Sequence, residues 1–182
     1  SLPRFSHYWD VTARKTNTLH PRTRETLRKL RDSTVEVTIY TNLLDGSSDG
    51  RIGLPSGHNS YLDMWEPYVR FKPDIRFRYE YYYAVAPGDS GYYKLFPGKN
   101  LRQIAGLMAK GLQVDPALFK SPEEMRRLID LTPENYATVI QLKCGNRTAF
   151  VRYLPSETGI SLEEGSTEPA ISAALRRIAG DT

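Results

Sequence analysis

The stretch VEVTIYT, residues 35–41, alternates apolar and polar side chains without a break, with Val35, Val37 and Ile39 as its apolar members. A period of two residues is typical of a β-strand with one face in a core and the other towards water. The sequence therefore predicts a strand here, and the elements on either side are assigned relative to it.

A helix is predicted before this strand, in LHPRTRETLRKLRD, residues 19–32. Pro21 takes its first position, where a missing N–H costs nothing, and His20 takes the N-cap position. Further upstream, SHYWDVT, residues 6–12, is predicted to form a short strand. Residues 44–58, rich in Gly, Ser and Asp, are expected to form a loop.

Residues 59–71 place Tyr61, Met64, Trp65 and Tyr68 at helical spacing, and Pro67 is expected to kink or interrupt that helix. A strand follows in IRFRYEYYY, residues 75–83, with Ile75, Phe77, Tyr79 and Tyr81 on one face and Arg76, Arg78, Glu80 and Tyr82 on the other. Residues 84–100 are turn-rich and are predicted to expose Tyr92 and Tyr93.

Two helices are predicted next, over residues 101–114 and from the cap Ser121 to near Asp130. Residues 136–155 indicate a β-hairpin with a tight turn at Gly145-Asn146. After a polar linker, residues 166–180 favour an amphipathic helix with its apolar side chains on one face: Ile171, Ala174, Leu175 and Ile178.

This order of elements predicts an α/β domain with a thioredoxin-like architecture: a central mixed sheet with a C-terminal β-hairpin, followed by an amphipathic helix. Residues 1–155 are assigned to that domain. Residues 156–182 are assigned to a linker and a helix that has little partner of its own and leads towards a second domain absent from this chain.

The chain carries 25 basic and 21 acidic residues, a net charge of +4. Residues 1–31 hold most of the excess, including Arg14, Lys15, Arg22 and Arg24. Such a region can be a solvated face, can lie near anionic lipid headgroups or can bind nucleic acid. No stretch approaches the ~20 apolar residues that cross a bilayer.

Few residues are suited to catalysis. The lone cysteine, Cys144, excludes an internal disulfide and a CxxC redox pair, and the three histidines have no metal-binding spacing. A thioredoxin carries its nucleophilic cysteine after an early strand, and the loop after Thr41 contains none. A hydrolase with a site near residues 45–58, using His58, remains an alternative to a non-enzymatic domain.

The segment IRFRYEYYY raises a second alternative, a nucleic-acid-binding surface that uses Arg76, Arg78 and Tyr82. Glu80 interrupts its cationic row and no RNP-like motif accompanies it, so a sheet strand is the better interpretation. Tyr82, Tyr83, Tyr92 and Tyr93 could still form an interaction surface, since tyrosine offers a large contact area at small entropy cost.

Several stretches together resemble the extracytoplasmic region of GldG-like auxiliary components of ABC transporters, a family first associated with gliding motility. The motifs, in family order, are WDVT (9–12), TLHP (18–21), VEVTIY (35–40), YLDMWEPYVRFKPDIRFRYEYY (61–82) and EPAISAALRRIAG (168–180). His20 stands where the family commonly has serine.

The resemblance implies a membrane-anchored protein whose soluble portion lies on the extracytoplasmic (periplasmic) side of the cytoplasmic membrane, beside an ABC permease and ATPase. It transfers no catalytic residues, and we expect no enzyme activity, cofactor, metal or nucleic-acid partner. The basic residues Arg14, Lys15, Arg22 and Arg24 would form a lipid-proximal patch, where each cation contributes up to ~1 kcal/mol.

Overall fold

The computed structural model describes residues 19–47, 50–51, 53–152 and 167–180. The predicted strand 6–12 and the basic residues Arg14 and Lys15 lie outside the described residues. The predicted polar linker lies there too, up to residue 166.

Within the described residues, four strands form one mixed sheet: β1 (Glu36–Asn42), β2 (Arg76–Tyr82), β3 (Val139–Cys144) and β4 (Arg147–Arg152). The order across the sheet is β2-β1-β3-β4. β1 runs parallel to β2, whereas β3 is antiparallel to both of its neighbours. Ile39 in the centre of β1 pairs with Tyr79 on β2 and with Ile140 on β3. The sequence-based prediction of an α/β domain with a mixed sheet and a terminal hairpin is confirmed.

In the part of the chain that the structure describes, three helices cover one face of the sheet: α1 (Pro21–Lys29), α2 (His58–Phe71) and α6 (Thr167–Ala179). The core between these helices and the sheet contains Val37 and Ile39 of β1, Trp65 of α2 and Leu175 of α6. His20 caps α1 as expected, since its side chain accepts a hydrogen bond from the backbone N–H of Arg22. α2 passes through Pro67 without ending, so the predicted interruption is not observed.

The connection from β2 to β3 holds α3 (Gly91–Leu95), α4 (Leu101–Gly111) and α5 (Pro122–Leu128). α4 contributes Ile104, Ala105 and Ala109 to a second apolar cluster, which lies just beyond the carboxyl ends of β1 and β2. α5 and the residues after it cover part of the other face of the sheet with Met125 and Leu131. The predicted exposed excursion at residues 84–100 thus includes a short helix.

β1 is buried on both faces, which differs from the simple alternation expected. Thr38 and Tyr40, predicted to face water, are both buried. Tyr40 packs in the cluster that contains Met125 and Leu131, and β1 lies between β2 and β3. When both faces of a central strand are covered, the odd-numbered and the even-numbered side chains are both buried.

The hairpin joining β3 to β4 turns at Gly145 and Asn146, as predicted. Gly145 has a φ of +57°. Asn146 is not among the described residues with positive φ, so the turn has the φ signs of type II′, and glycine adopts the positive φ at its first central position without steric cost.

α6 corrects the expectation of a helix without a partner. Its predicted apolar residues are all buried in the main core, and the helix contacts β3, β4 and α1. The hydroxyl of Thr23 in α1 also donates to the Glu168 carboxylate at 3.1 Å and lies within hydrogen-bond distance of the Ser172 hydroxyl, at 3.0 Å. The proposed boundary at residue 155 therefore separates a helix from the core that it completes.

Candidate functional site

A cleft opens at the carboxyl ends of the two parallel strands. Leu43 directly follows β1 and Tyr83 directly follows β2, and both line this cleft. Its volume is about 820 Å³. In open α/β sheets, ligands bind beyond the carboxyl ends of the strands, where connections leave in different directions. The position of this cleft makes it the candidate functional site.

The floor of the cleft is apolar. Leu43, Tyr83, Ala105 and Phe119 line it and are buried. α4 forms one wall, and the turn Pro116–Leu118 with the start of α5 forms the other. Ligand pockets of this size combine such apolar linings with a few polar groups that fix orientation.

The polar groups of the cleft are concentrated at its rim, where Arg102, Glu123 and Glu124 are exposed. Glu124 accepts a hydrogen bond from the backbone N–H of Ser121 at 2.7 Å. This bond and the Ser121 side chain lower the pKa of Glu124. Glu123 pairs with Arg126 at 3.1 Å. Both carboxylates already have partners on α5 or at its cap.

Arg102 differs from these two acids. Within the part of the chain that the structure describes, its guanidinium makes no hydrogen bond or ion pair, and its charge acts on Tyr83. Burial raises the pKa of the Tyr83 hydroxyl, and the positive charge of Arg102 partly opposes that rise. Among the residues that the structure describes, Arg102 thus has no hydrogen-bond or ion-pair partner, and it lies beside the apolar floor of the cleft.

A second feature lies next to the cleft, around His58 at the first position of α2. The His58 Nε2 atom shares a hydrogen bond with the Tyr81 hydroxyl, and the His58 ring stacks on Tyr79 with centroids 3.8 Å apart. Tyr81 in turn meets the floor residue Phe119 edge-on, at 5.6 Å between centroids.

Burial controls the ionisation of this group. It lowers the pKa of His58 and raises the pKa of Tyr81 to about 12. Both side chains are therefore neutral near neutral pH, and a single hydrogen bond joins the imidazole nitrogen to the phenol oxygen. The sequence identified His58 but not Tyr81, since only the folded chain brings together residues 23 positions apart.

The loop before His58 is held by specific contacts. The hydroxyl of Thr41 donates to the Gly53 carbonyl at 2.9 Å. Asp45 accepts hydrogen bonds from the backbone N–H groups of Thr138 and Ser47, at 2.8 Å and 3.0 Å. Asp45, the first residue of the predicted hydrolase region, thus has a structural role in this arrangement.

The four tyrosines predicted to form an interaction surface do not share one. Tyr82 is 0% exposed, because α5 and the segment after it cover its face of β2, and its hydroxyl donates to the Tyr136 carbonyl at 3.0 Å. Tyr83 is buried in the cleft floor. Tyr92 is half-buried and donates to the Leu44 carbonyl at 2.9 Å, whereas Tyr93 is 42% exposed. The prediction is therefore wrong for Tyr82, and Tyr83 contributes to a cleft.

The predicted basic patch is described only in part. Arg22 is exposed on α1, and the Arg24 guanidinium lies 5.9 Å from the centre of the Phe71 ring. Residues two positions apart on a helix do not face each other, so these two cations point in different directions.

The residues proposed for nucleic-acid binding do not share an exposed surface either. Arg76 and Arg78 are exposed on β2, while Tyr82, the aromatic residue proposed to stack on bases, is buried. The stacking role is therefore corrected: Tyr82 is part of the core.

Among the described residues, no group of three or more His, Cys, Asp or Glu side chains is arranged to hold a metal ion. Nor does this part of the chain include a helix with the length and apolar character needed to span a membrane. Comparison of the chain with protein-family models, curated proteins and solved structures found no match.

Proposed function

We propose that this chain is a thioredoxin-like, non-enzymatic extracytoplasmic domain of a membrane-anchored auxiliary subunit of an ABC transporter, acting by cargo binding or protein contact. The observation that carries the proposal is the cleft at the ends of β1 and β2. It combines a buried apolar floor with a charged rim, which is the composition of a binding site.

The topology supports the thioredoxin-like part of the proposal. A parallel βαβ unit made of β1, α2 and β2 is joined to the antiparallel hairpin of β3 and β4, and α6 packs against that hairpin. The position where a thioredoxin would carry its nucleophile, at the start of the helix after β1, is occupied by His58. The domain would use the same region of the fold for binding.

The resemblance to GldG-like proteins supports the transporter context. The stretches that carry it include β1, α2, β2 and α6, which contribute residues to the main core or pack against it. In this proposal the domain stands outside the cytoplasmic membrane and works beside the permease and ATPase, with its cleft available to cargo or to another extracytoplasmic segment.

The test is affinity purification of the full-length protein from detergent-solubilised membranes, with bound proteins identified by mass spectrometry. We expect an ABC ATPase and its permease to be recovered. Recovery of the protein from the soluble fraction alone, without either subunit, would refute the transporter assignment.

A hydrolase is the second candidate, and the contact between His58 and Tyr81 is the observation that favours it. A screen with ester, amide and glycoside substrates separates the two functions. Activity that is abolished by His58→Ala and kept by Arg22→Ala would establish the hydrolase. If both variants and the unchanged chain show the same background turnover, His58 is excluded as the catalytic residue of a hydrolase.

A further inference from the structure

Gly106 lies in the interior of α4, where glycine makes the helix less stable than alanine would. No packing within the described chain requires it, because a Cβ atom added there would meet nothing within 4 Å. The same residue lines the cleft. The absence of a side chain thus enlarges the cleft, at a cost to the stability of the helix.

Arg102 lies one helical turn before Gly106 and also lines the cleft. Residues four apart lie on the same side of a helix, so Arg102 and the open space at Gly106 share one side of α4. Guanidinium binds carboxylate through two parallel N–H donors, and that geometry is selective as well as strong. The two rim glutamates do not supply the partner, since one pairs with Arg126 and the other caps α5.

We propose that the cleft binds a ligand with an apolar body and a single carboxylate, the carboxylate held by Arg102 and the body resting beside Gly106 on Leu43, Tyr83 and Phe119. This inference rests on the proposed binding function and names the ligand class of that same cleft. Fatty acids and peptide carboxyl termini share this chemistry.

The volume agrees with a ligand of modest size. Pockets for small molecules measure roughly 300–1,000 Å³ and bury most of the ligand surface. The cleft, at about 820 Å³, lies within that range. Its apolar residues form the floor and its charged residues form the rim, so an amphipathic ligand would enter with its apolar end first.

The experiment is a titration of the isotopically labelled 182-residue chain, followed by amide NMR shifts. The probes are sodium octanoate and N-acetyl-leucyl-phenylalanine, each compared with its neutral amide, and octylamine is the cationic control. We expect the acids to shift the amide signals of Ala105, Gly106 and Phe119. The neutral amides and octylamine should bind at least about tenfold more weakly. Binding of octanoate alone would identify the fatty-acid source, and binding of the dipeptide alone the peptide source.

Two pairs of variants locate the effect. Arg102→Gln should weaken binding of the acid about tenfold or more, whereas Lys110→Gln, which removes a cation from the last turn of the same helix, should not change it. Gly106→Leu should fill the cleft and abolish binding. Gly111→Leu is its matched control, because Gly111 also has open space around it and does not line the cleft.

Equal affinity for an acid and its amide, tighter binding of octylamine, or unchanged binding by Gly106→Leu would overturn the proposal. Failure of both acids to bind would also overturn it. Failure of this titration together with recovery of the ABC permease and ATPase would leave a domain that acts by protein contact, so the two proposals fail separately.

Discussion

The side chain of Asn42 and the backbone of Ala84 form a reciprocal pair of hydrogen bonds. The Asn42 Nδ2 atom donates to the Ala84 carbonyl at 2.9 Å, and the Ala84 N–H donates to Asn42 Oδ1 at 3.1 Å. The same amide also donates to the Tyr136 carbonyl at 2.8 Å. Asn42 ends β1 and Ala84 follows β2, so one side chain fixes the strand ends that border the cleft.

Replacing Asn42 by alanine should destabilise the domain by about 2–4 kcal/mol, because backbone groups of Leu44, Ala84 and Tyr136 lose their partner together. Urea unfolding followed by circular dichroism measures the change. Asn100→Ala is the matched control, since Asn100 caps α4 at an exposed position and its loss should cost only about 1 kcal/mol. Equal losses in the two variants would contradict the role assigned to Asn42.

Gly53 should not tolerate a side chain. A Cβ atom there would lie 2.4 Å from Thr41 Oγ1 and 3.2 Å from Thr138 Cγ2. Gly53→Ala must therefore displace the Thr41 hydroxyl, which donates a hydrogen bond to the carbonyl of residue 53. We expect a loss of roughly 1–3 kcal/mol in unfolding free energy. Gly46→Ala, in the same loop but with nothing within 4 Å, should change stability by less than about 0.5 kcal/mol. A neutral Gly53→Ala would show that the loop is not anchored at Thr41.

Local features of this chain were predictable because they depend on residues a few positions apart. The Ser121 side chain caps α5 by accepting a hydrogen bond from the backbone N–H of Glu124, three residues later. Gly145 permits the turn between two adjacent strands. The apolar stripe of α6 was predicted in full for the same reason, since helical period alone places Ile171 and Leu175 on one face.

The partners of these elements were not predictable in the same way. Asn42 and Tyr136 are 94 positions apart, and no periodicity indicates that one will satisfy the other. Tyr82 belongs to the polar face of β2 by alternation, yet Met125 and Leu131 cover that face. The cleft, too, exists only because α4 and α5 converge on the ends of β1 and β2.

α6 provides a test of the domain boundary. Leu175 is 0% exposed in the main core, whereas Leu128 on α5 is 59% exposed. Leu175→Ala should lower the unfolding free energy by about 2–5 kcal/mol, because it removes buried methyl groups and leaves a cavity. Leu128→Ala should change it by less than about 0.5 kcal/mol. If Leu175→Ala were as mild as Leu128→Ala, α6 would not belong to the cooperative unit.

His58 should make the stability of the domain depend on pH. Burial lowers its pKa in the folded state below the value of about 6.5 expected in the unfolded chain, so the unfolded state binds the proton more readily. The contribution is fully present above the unfolded pKa and is lost as pH falls through the lower folded pKa. The position of His58 at the start of α2 acts in the same direction, since a helix amino terminus disfavours a cation.

Urea unfolding at pH 8, 6 and 5 should show a smaller loss of stability in His58→Phe, which keeps a ring to stack on Tyr79 but cannot titrate. Tyr81→Phe should keep the pH dependence, because burial and not the shared hydrogen bond is its cause. A pH dependence that is the same in His58→Phe as in the unchanged chain would assign it to other groups.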